Sequence, residues 1–175
     1  MVRTPEISVV QENGNIRVSW IYPEPVWPDE EGYIYNESTH EDMWVVGYDD
    51  VGSYNSFTKQ ADHLRIRAGD WEYESEMAAV TDEMVDLTGI DLIEIDWASH
   101  DENDGLSALI ASTNKDGDAT IYDARFIRNY AFVRRIDTLD VSGLTGNHYI
   151  RIHAVQNIKD SYTVYAYKVR LIGGS

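Results

Sequence analysis

Apolar and polar residues alternate along most of this chain with a period of two, as in the runs 90–97 and 148–155. Successive side chains of a strand point to opposite faces, so this period predicts strands with one buried and one wet face. Turn residues separate the runs, which favours an all-β chain over one with helices. The predicted strands of the main body are 32–38, 43–48, 62–68, 77–80, 90–97, 106–113, 119–135 (interrupted), 148–155 and 162–172. Only Glu74–Met84 also has the composition for a helical turn, which stays open as an alternative there.

An N-terminal arm precedes the main body. Two alternating runs flank Asn13-Gly14, a pair that is typical of a two-residue hairpin because both positions tolerate positive φ. Three of the four prolines then fall at Pro23, Pro25 and Pro28. A proline-rich stretch cannot join a central β-ladder. We predict a β-hairpin arm and linker over 1–31, followed by an antiparallel jelly-roll β-sandwich over 32–175.

The alternation also assigns faces to the predicted strands. The predicted inward residues are Leu64, Ile66, Ala68, Ile93, Ile95, Trp97, Ile150, Ile152 and Ala154. The predicted outward residues are Arg65, Arg67, Glu94, Asp96, Tyr149, Arg151 and His153. In the last strand, Tyr165, Tyr167, Val169 and Leu171 are predicted to share one face, opposite Val164, Ala166, Lys168 and Arg170. The outward charges have two interpretations: cross-strand ion pairs that hold the register, or a polar face that binds a polyhydroxylated ligand.

One short motif occurs twice, as VDLTG from Val85 and as LDVSG from Leu139. The carboxylates of Asp86 and Asp140 can accept hydrogen bonds from backbone N–H groups two residues further on. Gly89 and Gly143 then allow positive φ where the chain turns. The motif therefore predicts two equivalent corners between packed sheets.

Four stretches resemble, in their order, a jelly-roll domain that recurs in tail-associated proteins of phages infecting Gram-positive bacteria. They are DLTGIDLIEIDW, SALIASTNKDGDATIYDAR, TLDVSGLTGNHYIRIHA and TVYAYKVRLI, beginning at residues 86, 107, 138 and 163. The chain resembles more loosely the galactose-binding-like jelly rolls of carbohydrate-binding modules. The resemblance covers about 33–172 and leaves out the arm. It implies a virion or other extracellular location, and it raises the alternative of a structural calcium ion.

The charge composition limits the classes of binding partner that we expect. The formal net charge is -17, from 31 acidic and 14 basic residues. Such a surface repels phosphate backbones and anionic membranes, so we expect neither nucleic acid nor membrane as a partner. The acid excess is compatible with calcium, with neutral glycans or with a salty habitat. Cysteine is absent, which excludes disulfides, zinc–thiolate sites and cysteine nucleophiles.

Two acidic turns, Asp101–Gly105 and Asn114–Ala119, have oxygen ligands at the alternating positions that suit calcium. The candidate ligands are Asp101, Asp104, Asp116 and Asp118. Neither turn continues as an EF-hand loop, because Arg125 stands where the second would need a bidentate Glu. Asp, Asn and Gly are also the residues that tight turns require, so ordinary turns are the alternative interpretation.

Catalytic motifs are absent from the sequence, which has no Gly-x-Ser-x-Gly, phosphate-binding glycine loop or His-Glu-x-x-His. We therefore expect no enzyme, and the many carboxylates leave a glycosidase pair, which would need two acidic residues in a cleft, open as an alternative. We expect a phage tail-associated module that binds a host or environmental glycan and works as an oligomer or within a larger assembly. The alternative is a structural decoration, cement or adaptor protein that contacts other virion proteins and binds no sugar. The candidate glycan-binding residues are Trp44, Tyr48 and Tyr54, expected on an exposed loop, with Arg65, Arg67, Glu94, Asp96, Tyr149, Arg151 and His153.

Overall fold

The computed structural model describes residues 6–12, 15–21, 28–37, 39–50, 52–70, 72–100, 105–129, 133–157 and 160–174. Strand is the dominant structure, and a single short 3₁₀ helix, Glu41–Met43, is found in these residues. No helix in this part of the chain has the length and apolar character needed to cross a membrane. The strands are β1 (Glu6–Glu12), β2 (Asn15–Ile21), β3 (Tyr33–Asn36), β4 (Trp44–Asp49), β5 (Ser56–Lys59), β6 (Leu64–Asp70), β7 (Ser75–Thr81), β8 (Val85–Asp86), β9 (Ile90–His100), β10 (Gly105–Ser112), β11 (Ala124–Asn129), β12 (Arg135–Asp140), β13 (Asn147–Gln156) and β14 (Asp160–Gly173).

Two antiparallel sheets of six strands each form the main body. The front sheet has the order β12-β9-β14-β6-β5, with β3 paired to β14 beyond the end of β6. The back sheet has the order β11-β10-β13-β7-β4, with β8 paired to β13. From β6 onwards the chain changes sheet six times: between β6 and β7, β8 and β9, β9 and β10, β11 and β12, β12 and β13, and β13 and β14. The last strand, β14, lies next to β6. This is the strand order of a jelly roll, so the predicted fold class is confirmed.

The core lies between the two sheets, where alternate residues of each strand meet. All nine residues predicted to face inward are buried: Leu64, Ile66, Ala68, Ile93, Ile95, Trp97, Ile150, Ile152 and Ala154. Trp97 also donates a hydrogen bond from Nε1 to Asp137 Oδ2 at 2.7 Å, which ties β9 to the edge strand β12. The alternation therefore located the core of these three strands.

The repeated motif forms two corners that touch each other. Asp86 Oδ1 accepts a hydrogen bond from the backbone N–H of Thr88 at 2.9 Å, and Asp140 Oδ1 accepts one from Ser142 at 3.0 Å. Hydrogen bonds from the hydroxyl groups of Thr88 and Ser142, together with these backbone bonds, hold the pKa of both carboxyl groups below the usual range. The first corner leads from β8 of the back sheet to β9 of the front sheet, and the second leads back from β12 to β13. Thr88 Oγ1 accepts the N–H of Gly146 at 3.0 Å, so the corners close the same end of the sandwich.

Positive φ occurs at only one of the two predicted glycines. Gly89 has φ of 79°, whereas the second corner places positive φ at Gly146 (78°) and not at Gly143. The corners are therefore equivalent in their Asp-centred turn and differ in how the backbone leaves it.

Several strand boundaries differ from the sequence prediction. Glu74–Met84 contains strand β7 and no helical turn, because its apolar residues pack against the core of the sandwich. Residues 119–123 form a loop and not the start of a strand, while β12 continues to Asp140. Strand β5 pairs with β6 and is not among the predicted strands.

The N-terminal hairpin is present. Strands β1 and β2 pair antiparallel from Glu6↔Ile21 to Glu12↔Asn15. Asn13 and Gly14, which suggested the hairpin, lie outside the described residues. Within the described residues these two strands pair only with each other. The division at residue 31 remains a prediction.

Core burial in the front sheet should dominate stability. Ile95 is fully buried in β9, and Ile136 on the neighbouring strand β12 is 61% exposed. We expect Ile95→Ala to lower the free energy of unfolding by about 2–5 kcal/mol, because it removes apolar contacts and leaves a cavity. Ile136→Ala, the matched control, should change it by less than about 0.5 kcal/mol. Urea denaturation measures both, and similar losses would contradict the assigned faces.

Candidate functional site

A β-bulge in β14 shapes the outer face of the front sheet. Ala166 lies opposite Trp97 while Lys168 lies opposite Asp96, so Tyr167 is the additional residue of the bulge. Val164 and Ala166 face the core before the bulge, and Val169 and Leu171 face it afterwards. The prediction that Tyr165 and Tyr167 share a face with Val169 and Leu171 is therefore wrong. Both tyrosines are partly exposed on the outer face.

We call this surface the tyrosine face and define it by Tyr165 and Tyr167 of β14 and the outward-facing residues Arg65, Arg67, Glu94 and Asp96 of the two flanking strands. Tyr54, His63 and Arg134 border it. Arg65 is the cross-strand partner of Tyr165, and on the other side of Tyr165 lies Ala98, which presents only a methyl group. The His63 ring lies at centroid distances of 5.2 Å from Tyr165 and 5.7 Å from Tyr167. Two phenolic rings therefore share one surface with guanidinium and carboxylate groups.

Arg134 and Asp96 form a two-pronged ion pair at one border of this face. Arg134 Nε and Nη2 donate to Asp96 at 2.9 and 2.8 Å, and Nη2 also donates to Glu37 at 3.1 Å. The Asp96 carboxylate keeps the pKa of Arg134 above its usual value. The guanidinium carbon lies 3.9 Å from the centroid of the Tyr167 ring, and burial raises the pKa of the Tyr167 hydroxyl. This end of the face is thus charge-compensated and held in one arrangement.

The opposite border carries two arginines without carboxylate partners. Arg67 Nη2 donates to Ser161 Oγ at 3.0 Å, and its guanidinium carbon lies 5.6 Å from the Tyr54 ring centroid. Within the described part of the chain, the side chain of Arg65 makes no hydrogen bond or ion pair. Both side chains are partly exposed. These guanidinium groups are available to a ligand that reaches the sheet surface.

Five of the ten predicted glycan-binding residues meet on the tyrosine face: Tyr54, Arg65, Arg67, Glu94 and Asp96. Sequence analysis missed Tyr165, Tyr167, His63 and Arg134. The sequence does contain a signal for the two tyrosines. The aliphatic residues Val164 and Ala166 are out of phase with Val169 and Leu171, and this change of phase indicates one additional residue near Tyr167. No comparable signal exists for Arg134, which reaches Asp96 from a different segment of the chain.

The back sheet contradicts the prediction for Arg151 and His153. Both point away from the central core as predicted, but both are fully buried, because residues 113–123, here called the covering loop, lie over them. The Arg151 guanidinium donates to the backbone carbonyls of Gly117 and Ile121 in that loop. His153 Nδ1 lies 2.5 Å from Glu76 Oε1, which also accepts the N–H of Ala119 at 2.7 Å. These residues hold a loop in place and do not face solvent.

The other predicted aromatic residues also lie away from the tyrosine face. Trp44 is fully buried, and its Nε1 donates to the carbonyl of Ile34 at 3.2 Å. Trp44 therefore belongs to the core of strand β4, and its prediction as an exposed loop residue is wrong. Tyr48 follows on the same strand near Glu76 and Asp118, and burial raises the pKa of its hydroxyl. Tyr149 lies on β13 with Lys115 Nζ 5.6 Å from its ring centroid, so both tyrosines belong to the back sheet.

The candidate calcium ligands do not form a cation site in the described residues. Asp118 Oδ1 accepts Thr120 N–H at 2.8 Å and the Thr120 hydroxyl at 2.5 Å, and these bonds lower the pKa of Asp118. The N–H of Asp116 donates to Asn114 Oδ1 at 2.9 Å. No group of three or more His, Asp or Glu side chains is placed to hold a metal in the part described. The turn interpretation accounts for Asp116 and Asp118, and Asp101 and Asp104 lie outside the described residues.

Solved structures of similar fold include carbohydrate-binding domains. A mutant of a family 29 carbohydrate-binding module matches with a TM-score of 0.51 and 10% identity over 81% of this chain and 90% of that chain. A family 29 module complexed with cellulohexaose matches with a TM-score of 0.50 and 11% identity, over 81% of this chain and 89% of that chain. The carbohydrate recognition domain of Emp46p in its metal-free form matches with a TM-score of 0.52 and 10% identity, over 84% of this chain and 98% of that chain. The potassium-bound form of that domain matches as well. At these identities the likeness concerns the β-sandwich fold.

Comparison by sequence adds nothing to this, because no protein-family model and no curated protein sequence matches the chain. The tyrosine face combines two kinds of chemical group. Phenolic rings can stack on apolar sugar faces, while guanidinium and carboxylate groups donate and accept hydrogen bonds at fixed positions.

The buried histidine should make stability depend on pH. Burial lowers the pKa of His153 below its usual 6.5, so below that pH the unfolded chain binds a proton that the folded chain does not. The free energy of unfolding should therefore fall with decreasing pH, by about 1.4 kcal/mol per pH unit at most, between about pH 6.5 and the lowered pKa. His153→Asn, which keeps a group near Nδ1, should flatten this slope in urea titrations. His100→Asn, at the exposed end of β9, is the control. Equal slopes for wild type and His153→Asn would contradict the assignment.

Proposed function

We propose that the protein is a non-enzymatic domain that binds a glycan on the tyrosine face. The observation that carries the proposal is the bulge at Tyr167, which places two partly exposed tyrosines beside arginine and carboxylate side chains on one sheet surface. The similarity in fold to carbohydrate-binding modules, one of them complexed with cellulohexaose, supports it. The opposite surface is less suitable, because the covering loop buries its polar residues.

Binding on such a face is expected to be weak for a single copy. One ring stacked on a sugar contributes about 0.5–1.5 kcal/mol beyond the area it buries, and each additional hydrogen bond contributes about 1 kcal/mol. A few such contacts sum to about 4–5 kcal/mol, which corresponds to dissociation constants of about 0.2–1 mM. Several copies acting together would raise the avidity without new contacts. We therefore propose that the domain works as an oligomer or within a larger assembly.

We further propose a virion setting, in which the domain is associated with a phage tail and contacts a host surface. The stretches beginning at residues 86, 107, 138 and 163 resemble a jelly-roll domain of phage tail-associated proteins, which supports this setting. The N-terminal hairpin supplies a means of attachment, since an exposed strand edge can add to a sheet of another subunit. Within the described residues, β1 and β2 pair with neither sheet of the sandwich.

The same hairpin supports a second candidate function, that of a structural adaptor or decoration protein of a virion. In that case the sandwich presents surfaces to other virion proteins and binds no sugar. The two functions differ in their requirements: glycan binding needs the tyrosine face, and assembly needs the arm.

Tyr165→Ala tests the glycan proposal directly. Tyr165 is partly exposed beside Ala98 and makes no core contact, so its removal should leave the fold intact. We expect an affinity loss of about tenfold, the equivalent of about 1.4 kcal/mol of stacking. Cellohexaose is the first probe, followed by a glycan array and host cell-wall polysaccharides, with isothermal titration calorimetry for each hit. Tyr73→Ala, at a tyrosine that is 70% exposed elsewhere, is the control. Unchanged affinity for Tyr165→Ala would place the site elsewhere.

Removal of the arm separates the two functions. The cut should precede Asp29, because Asp29 Oδ1 accepts the N–H of Tyr33 at 2.9 Å and the carbonyl of Glu31 accepts Arg170 Nε at 2.8 Å. We expect residues 28–175 to keep a cooperative thermal transition and to keep binding glycan. Sedimentation of the full chain and of the truncated chain measures assembly. Loss of oligomers without any glycan binding by either form would favour the adaptor function.

A further inference from the structure

We infer that the glycan bound at the tyrosine face is anionic, and that Arg65 and Arg67 receive its charged group. The inference rests on the proposed function and adds to it the chemical class of the ligand. Its starting point is the distribution of charge partners over the front sheet.

Four other cations on or beside this sheet have partners, whereas Arg135, exposed on the edge strand β12, has none among the described residues. Arg134 is held by Asp96 and Glu37, and Lys168 lies 3.9 Å from Glu37. Arg170 donates to the carbonyl of Glu31, and Lys59 lies 3.9 Å from Asp42. In a chain with 31 acidic and 14 basic residues, pairing is easy to achieve. The sheet nevertheless leaves Arg65 without a partner in the described residues and gives Arg67 only a hydroxyl and a ring.

The two arginines point to the same side of one strand. They are two residues apart on β6, so their Cα atoms are separated by about 6.6 Å. Both positive charges therefore lie on the same face of β6, where each of them attracts an anion. Their cross-strand partners on β14 are Tyr165 and Thr163. A sugar ring stacked on Tyr165 therefore has its edge next to the Arg65 guanidinium.

Guanidinium chemistry fits an anion better than a neutral sugar. The planar fork of an arginine donates two parallel hydrogen bonds to a carboxylate or a sulfate, and such charge-assisted bonds are stronger than neutral ones. The net charge of -17 does not prevent this contact, because charges beyond about 8 Å are largely screened at physiological ionic strength. The excess negative charge instead slows the approach of polyanions to the rest of the surface, which adds selectivity for this face.

Matched ligand pairs test the inference on the full chain. The first pair is hexagalacturonate and its methyl ester, which differ only in the charge of the carboxyl groups. The second is dextran sulfate and dextran, which distinguishes sulfate from carboxylate as the source of the charge. We expect the charged member of at least one pair to bind about tenfold more tightly than its neutral partner. We also expect Arg65→Gln to weaken that binding about tenfold, and Arg65→Gln with Arg67→Gln to abolish the preference for charge.

Arg135→Gln is the charge-matched control. Arg135 is exposed on β12, and its substitution changes the net charge by the same amount. An equal loss for Arg135→Gln and Arg65→Gln would indicate general electrostatics and overturn the inference. Equal binding of charged and neutral partners, with a loss on Tyr165→Ala, would overturn the inference and leave the proposed function in place. Absence of binding to every glycan tested would overturn both. Thermal melting of each variant confirms that the fold is retained.

Discussion

The side-chain alternation of β14 governs both the core and the exposed face of the front sheet. This strand lies between β9 on one side and β6 followed by β3 on the other, so its register is fixed from both sides. Its apolar residues form two pairs that are out of phase, Val164 with Ala166 and Val169 with Leu171. A strand without a bulge would bury one pair and expose the other. Burying Val169 and Leu171 contributes about 1.5–3 kcal/mol each, which outweighs one disrupted ladder hydrogen bond of about 1 kcal/mol. The tyrosine face is therefore a consequence of core packing.

The two corners explain why the sheets meet as they do. Each corner is closed by an Asp carboxylate that accepts N–H groups two residues ahead, and Thr88 joins one corner to Gly146 of the other. The buried side chains of Leu87 and Val141 follow the two Asp residues directly and fill the end of the sandwich. Local sequence is enough to predict such corners, because every group that forms the turn lies within a few residues.

Sequence analysis succeeded where a single period governs a strand and failed where the phase changes or a distant segment intervenes. The inward faces of β6, β9 and β13 follow from alternation alone. The face of β14 does not, because one additional residue reverses every position after it. Trp44 was misplaced because its neighbours Gly47, Asp49 and Ser53 have the composition of a loop. Its burial depends on Ile34 and Tyr35 of β3, which the sequence does not place nearby.

Two similar triplets show most clearly what only the structure decides. Arg65-Ile66-Arg67 and Arg151-Ile152-His153 both place an apolar residue in the core between two polar residues that point the other way. The covering loop between β10 and β11 lies over the second triplet and supplies backbone carbonyls to Arg151, so its charge is used to fix the loop. No described segment lies over the first triplet in this way, and its guanidinium groups remain at the surface. An unpaired charge is costly when it is buried, as Arg151 is in the back sheet. The same charge costs little when solvent reaches it, as at Arg65 on the front sheet. The front sheet is therefore where a ligand can supply the missing partner.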